Sequence, residues 1–147
     1  MLVSIIVPIY NEAAVLPGLL ENLRTLRATD SIGIELVLVD GGSTDSSVQI
    51  IEATGLTCRQ ADRGRAVQMN DGAQAAKGDL LLFLHADTKI SAEAITRARQ
   101  AIAAGAVGGF FEVSLNSSRP LLRFVGRMIS WRSRLFGVAT GEQAIFD

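Results

Sequence analysis

Cysteine is almost absent from this sequence. Cys58 stands alone, so no intrachain disulfide framework can form and nothing favours an oxidising compartment. A reduced, cytoplasmic setting is the expectation. An excess of one charge is missing too: fourteen basic against fifteen acidic residues leave a formal net charge of -1. No overall field therefore draws the chain to nucleic acid or to an anionic bilayer. The apolar opening from Met1 to Tyr10 has no basic region before it and meets Asn11 and Glu12, well short of the roughly 20 residues a membrane span needs. It reads as neither signal peptide nor transmembrane helix. Internal repeats, low-complexity tracts and linkers are lacking, so a second domain is not indicated. Two nucleotide signatures are missing as well. No G-x-G-x-x-G follows the first apolar run and no G-x-x-x-x-G-K-[ST] occurs anywhere, so dinucleotide-fold and P-loop readings lose ground.

What is present is enough apolar material for a continuous core, 48% of 147 residues, in a chain of ordinary single-domain size. Short runs rich in Val, Ile and Leu, at Val3 to Val7, Ile34 to Val39 and Leu80 to Leu84, alternate with stretches of helical period. That is the pattern of strands buried on both faces by crossover helices. Weaker strands are expected at Leu56 to Gln60 and Gly108 to Leu115. Leu16, Leu19, Leu20, Leu23 and Leu26 mark the first helix, with Pro17 tolerated in its first turn. Ser43, Thr44 and Asp45 offer capping oxygens to a second, whose apolar face is Val48, Ile50 and Ile51. A third should run from about Arg65 to Ala76 and a fourth from Ser91 to about Ala104, ended by Gly78 and Gly105. The fold class is α/β, with a Rossmann-like, doubly wound, mostly parallel sheet.

In such a sheet ligands bind beyond the carboxyl ends of the strands, where loops converge and helices present free amides. The polar residues there are Pro8-Ile-Tyr-Asn-Glu12, Asp40-Gly-Gly-Ser-Thr-Asp45 and His85-Ala-Asp-Thr88. Carboxylates at separate strand ends suit a hard divalent cation bridging phosphate oxygens, with another carboxylate on a base or ribose. Plainer readings exist for each. Asn11 and Glu12 suit a helix start, Asp40 to Asp45 a tight turn with a cap, and Asp87 a turn before the helix at Ser91. Asp79 enters its strand at the opposite end and is left out of the site.

The ordered segments Ser4 to Glu12, Val39 to Asp45, Gly64-Arg-Ala-Val-Gln-Met-Asn-Asp-Gly72 and Ala76-Lys-Gly-Asp79 resemble family 2 glycosyltransferases over nearly the whole chain. His85-Ala-Asp-Thr88 followed by Gly141-Glu-Gln-Ala-Ile-Phe146 looks like the subfamily found beside radical-SAM and selenium-related proteins. The resemblance implies a GT-A fold and an inverting, metal-dependent transfer from a nucleoside diphosphate sugar to an acceptor hydroxyl. It puts Pro8, Tyr10 and Glu12 around the nucleoside and Asp40 on the base, commonly uracil. It puts Arg65 on the diphosphate, and Ala86 and Asp87 beside the donor, with Asp87 holding Mn2+ or Mg2+.

Two departures qualify this. His85 replaces the first aspartate of the family's D-x-D pair, so it either ligates a transition ion or orients Asp87 without touching the ion, the latter being favoured. In extended geometry the two residues would point to the same side. The family's general base follows the segment matching Gly141 to Phe146, beyond Asp147. The chain is therefore expected to be incomplete at its carboxyl end, without a catalytic base of its own, and to bind donor better than it turns it over. Glu142 and Gln143 fall on the acceptor side by resemblance. The rival readings are a non-catalytic nucleotide-binding fragment or subunit and, more remotely, a nucleotidyltransferase. Arg123, Arg127, Arg132 and Arg134, set among apolar residues, suggest an amphipathic helix. A solvated face over the acceptor region is preferred to peripheral membrane contact.

Overall fold

The computed structural model describes residues 1–106, 109–110 and 145–146. Its strands are β1 (Val3–Ile9), β2 (Ile34–Asp40), β3 (Cys58–Gln60), β4 (Leu80–Phe83), β5 (Gly109–Phe110) and β6 (Ile145–Phe146). Its helices are α1 (Leu16–Thr29), α2 (Ser47–Glu52), α3 (Arg65–Ala75) and α4 (Ala92–Ala103). The sheet order is β3-β2-β1-β4-β6-β5. Strands β1 to β4 pair in parallel, while β6 runs antiparallel to both β4 and β5. The mixed α/β architecture with a mainly parallel sheet is as expected.

Alternation along β1 explains the two layers. Val3, Ile5, Val7 and Ile9 face one side, where they pack with the α1 leucines, Ile51 of α2, and Ile95 and Ala98 of α4. Ile6, with Val37 and Val39 of β2, faces the other, packed by Ala73 and Ala75 of α3 and by Ala76 just beyond it. Each fully buried leucine on α1 is worth about 1.5–3 kcal/mol before entropy is charged. The second layer is thin because α3 lies close. A Cβ at Gly72 would sit 2.5 Å from Ile6 Cγ2 and 3.2 Å from Val39 Cγ2.

Some boundaries differ from expectation. The second helix begins only at Ser47, because Ser43 turns its hydroxyl to Asp40 instead of capping, while Asp45 Oδ1 accepts the Ser47 amide at 2.9 Å. Strand β6 was not expected, since two residues carry no readable alternation. Residues 111–115 of the expected fifth strand, the arginine-rich segment from Arg119 to Arg134, and Glu142 and Gln143 lie outside the described residues. No helix among the described residues is long and apolar enough to cross a membrane.

At the amino ends of the strands, Asp79 Oδ2 accepts the Leu2 amide at 2.8 Å, well away from the site. There too Arg99 clamps the turn after α1. Its guanidinium bonds Asp30 at 2.7 and 3.2 Å, Gly33 O at 3.1 Å and Met1 O at 3.1 Å, and both charged side chains are 13% exposed. The Arg99 bond, helped by the Gly33 and Ile32 amides, outweighs burial and lowers the Asp30 pKa.

Gly72→Ala should lower stability by about 1–3 kcal/mol through overpacking. Gly18→Ala on α1, whose Cβ meets nothing within 4 Å, should raise it by up to about 1 kcal/mol. Urea midpoints read both, and equal midpoints would rule out the close approach of α3. Because Asp30 is lowered on folding, its contribution is complete above the unfolded carboxylate range and is lost as pH falls through the folded value. Asp30→Asn should therefore flatten the loss of stability below about pH 4, measured by thermal melts across pH; an unchanged acid slope would remove the linkage.

Candidate functional site

Strands β1 and β2 reach a common end, Ile9 opposite Asp40, and β4 stops three residues earlier, with Phe83 opposite Ile6. The loops leaving these ends carry amides that the ladder cannot pair. Side chains of the neighbouring loop take them. Asn11 sits at φ 54°, a left-handed conformation that asparagine tolerates better than most residues. Its Oδ1 accepts the amides of Thr44 at 2.8 Å and Asp45 at 3.3 Å, while its own amide donates to Ser43 Oγ at 2.9 Å. The next two amides, of Glu12 and Ala13, donate to Ser47 Oγ at 2.9 Å and Asp45 Oδ2 at 3.1 Å. Thus the β1–α1 and β2–α2 loops hold each other reciprocally.

Asp40, only 1% exposed, closes the turn on itself. Its Oδ2 accepts the Gly42 and Ser43 amides at 2.9 and 3.0 Å, and its Oδ1 accepts the Ser43 hydroxyl. Below the turn, Gln68 Nε2 donates to Ile9 O at 2.7 Å and Val39 O at 2.8 Å. Beside Asp40, burial and then the aspartate charge push the Cys58 thiol up to about 11. At neutral pH it is a protonated thiol and a poor nucleophile.

Pro8 is half-buried in β1, paired in register with Val39. The Arg63 guanidinium lies over the Tyr10 ring, 4.3 Å from its centroid. Burial raises the Glu12 pKa, and the charges of Asp87 and Asp45 raise it further. Burial lowers the Arg65 pKa against the opposing pull of Asp87. Carboxylates from three loops thus share one electrostatic neighbourhood with Arg65.

The stretch after β4 is not extended. His85 O accepts the Thr88 amide at 3.0 Å, so residues 85–88 form a turn, and alternation no longer dictates where His85 and Asp87 point. Within it Ala86 is buried and Asp87 exposed. His85 Nε2 meets the Arg65 guanidinium. Among the described residues no group of three or more His, Cys, Asp or Glu could hold a metal ion. The donor set present, an exposed carboxylate at Asp87 with Glu12 in its field, fits a hard cation that takes its remaining ligands from phosphates and water.

Tyr10, Glu12, Asp40, Arg65 and Asp87 all lie at this one edge; Glu142 and Gln143 are outside the described residues. Sequence reasoning passed over Asn11, Gln68 and Arg63 as functional residues. Asn11 stands among the polar strand-end residues, with a helix start as its plainer reading and no role of its own at the site, and Gln68 lies inside a quoted motif with no signal of where its amide points.

Residues 4–137 match Glycosyl transferase family 2. The chain belongs to that family. The undecaprenyl-phosphate 4-deoxy-4-formamido-L-arabinose transferase of Shewanella sediminis (strain HAW-EB3) is 43% identical over 103 residues, covering 63% of this chain and 30% of the relative. Among solved structures, S. aureus TarS 1-349 in complex with UDP-GlcNAc is 28% identical, with a TM-score of 0.57 over 71% of this chain and 32% of that one. The mannosyltransferase PcManGT from Pyrobaculum calidifontis, in complex with GDP-Man and Mn2+, has a TM-score of 0.69 at 24% identity. It covers 98% of this chain and 44% of its own, and at that identity it shows the shared GT-A fold alone. This family 2 chain spans less than half the length of each of these relatives.

Asn11→Ala should cost about 1–3 kcal/mol, from an unfavourable left-handed backbone plus two lost bonds to the exposed Thr44 and Asp45 amides. Asn11→Gly should cost clearly less because glycine accepts the conformation. Equal losses for the two, by urea denaturation, would show that backbone conformation contributes nothing.

Proposed function

We propose that residues 1–147 form one donor-binding domain of a glycosyltransferase that moves a sugar from a nucleoside diphosphate, UDP in the first instance, to an acceptor hydroxyl with inversion. The observation that carries this reading is the convergence of Tyr10, Glu12, Asp40, Arg65 and Asp87 on the carboxyl edge of a family 2 sheet. TarS, which binds UDP-GlcNAc, supports the choice of UDP. The His85 to Thr88 variant supports membership of the radical-SAM and selenium-associated branch.

Tyr10 offers its ring to the base, and Pro8 and Glu12 border the nucleoside. Asp40 serves the base by turning one oxygen from its own loop, since a carboxylate has about four acceptor positions to share. Arg65, beside His85, presents its positive charge to the diphosphate. Asp87 is the residue that would hold Mn2+ or Mg2+. When bound, such an ion neutralises diphosphate charge that would otherwise resist departure of the leaving group. His85 acts through Arg65 and is not a ligand in this reading. Glu12, with its raised pKa, is the carboxylate most responsive to a cation, whose arrival would favour its ionised form.

Calorimetric titration with UDP, with and without Mn2+, tests this. UDP should bind the folded chain in a metal-assisted way, and Asp87→Ala should weaken the assisted part by about tenfold or more, equivalent to about 1.4 kcal/mol. Asp40→Ala should weaken binding whether or not metal is present. A chain that is folded by circular dichroism yet binds no UDP under either condition would sink the proposal.

A further inference from the structure

The Gln68 carboxamide occupies a position that neither capping nor core packing requires. It is 3% exposed, in the first turns of α3, yet it points away from its own helix into the sheet. Its Nε2 donates to the carbonyls of Ile9 and Val39, residues on different strands, at 2.7 and 2.8 Å. Ile9 O also accepts the Gly41 amide at 2.9 Å, so this oxygen joins β1, the β2 turn and α3 at one point. Two acceptors on one nitrogen settle which end of the carboxamide is the NH2 group. Gly41 accommodates the side chain by having none of its own. A Cβ there would lie 2.9 Å from Gln68 Cδ.

Ile9 is the last residue of β1 and Val39 the last but one of β2, in the adjacent rungs Ile9–Asp40 and Pro8–Val39. The residue after Ile9 is Tyr10 and the residue after Val39 is Asp40, the two groups assigned to the base. Arg65 and Asp87, assigned to the diphosphate, stand one turn earlier on α3 and in the turn after β4, and the carboxamide bonds neither of them.

We infer that Gln68 is a positioning residue for nucleoside recognition, setting the spacing between the Tyr10 ring and the Asp40 turn by tying Ile9 O to Val39 O. The inference rests on the donor-site reading above and deepens it. Losing the tie leaves both strand-end carbonyls without their side-chain donor in a dry layer, and they relax toward other partners. The base-binding half of the site then loses its register while the diphosphate half keeps its groups.

Gln68→Met keeps the length of the side chain and removes the donor. Calorimetry on the full chain with Mn2+ present, using UDP and separately inorganic pyrophosphate, reads the two halves apart. UDP should weaken by at least about tenfold while pyrophosphate changes by less than about twofold. Parallel weakening of both ligands would make Gln68 merely structural and overturn the inference. So would unchanged UDP affinity in folded Gln68→Met while the parent chain binds UDP, an outcome that leaves the donor-site reading standing. A folded parent chain that binds no UDP overturns both. Should Gln68→Met fail to fold, Gly41→Ala, whose new methyl pushes the carboxamide off its carbonyls, decides between the same outcomes with the same two ligands.

Discussion

Everything at the carboxyl edge depends on one constraint: two parallel strands end side by side, and the amides of the loops beyond them have no ladder to join. Water could pair them, but the loops would then be free to move independently. Instead Asn11 reaches across to the Thr44 and Asp45 amides, while Ser43, Ser47 and Asp45 reach back to the amides of residues 11–13. Each bond is worth only about 0.5–1.5 kcal/mol net. Their value lies in being reciprocal, since neither loop can shift without breaking several of them. The geometry of any group between the loops is thereby inherited from the sheet.

The close seating of α3 is the second consequence of backbone meeting backbone. Gly72 lets the helix descend onto Ile6 and Val39, and that descent brings Gln68 within reach of the strand-end carbonyls. With a larger residue at 72 the carboxamide would be lifted away from Ile9 and Val39. The residues α3 itself brings to its layer are alanines, Ala73 and Ala75, so that layer relies on proximity where the leucine-rich opposite layer relies on area.

Electrostatics then sort the edge into two halves. Glu12, Asp45 and Asp87 gather negative charge, which adds to burial in raising the Glu12 pKa, and Arg65 answers it from α3. A local excess of carboxylate is costly by itself and becomes favourable once a cation arrives. Arg63, over the Tyr10 ring, lies in the other half, where an aromatic face and the closed Asp40 turn meet.

The sequence by itself determined the parallel strands, through Val- and Ile-rich runs, and the first helix, through leucines at helical spacing. It also marked the strand ends as the candidate site, because polar residues directly follow apolar runs at Ile9, Val39 and Leu84. Those are local patterns, repeating with the period of the backbone itself. Only the tertiary structure decided that Ser43 serves Asp40 and Asn11 instead of a helix cap, that His85 faces Arg65 after a turn has replaced the extended strand, and that Gln68 bridges two strands. Each of these pairs residues separated along the chain or turns on a bend of a few residues. A short-range pattern carries no record of partners that meet only when the sheet closes.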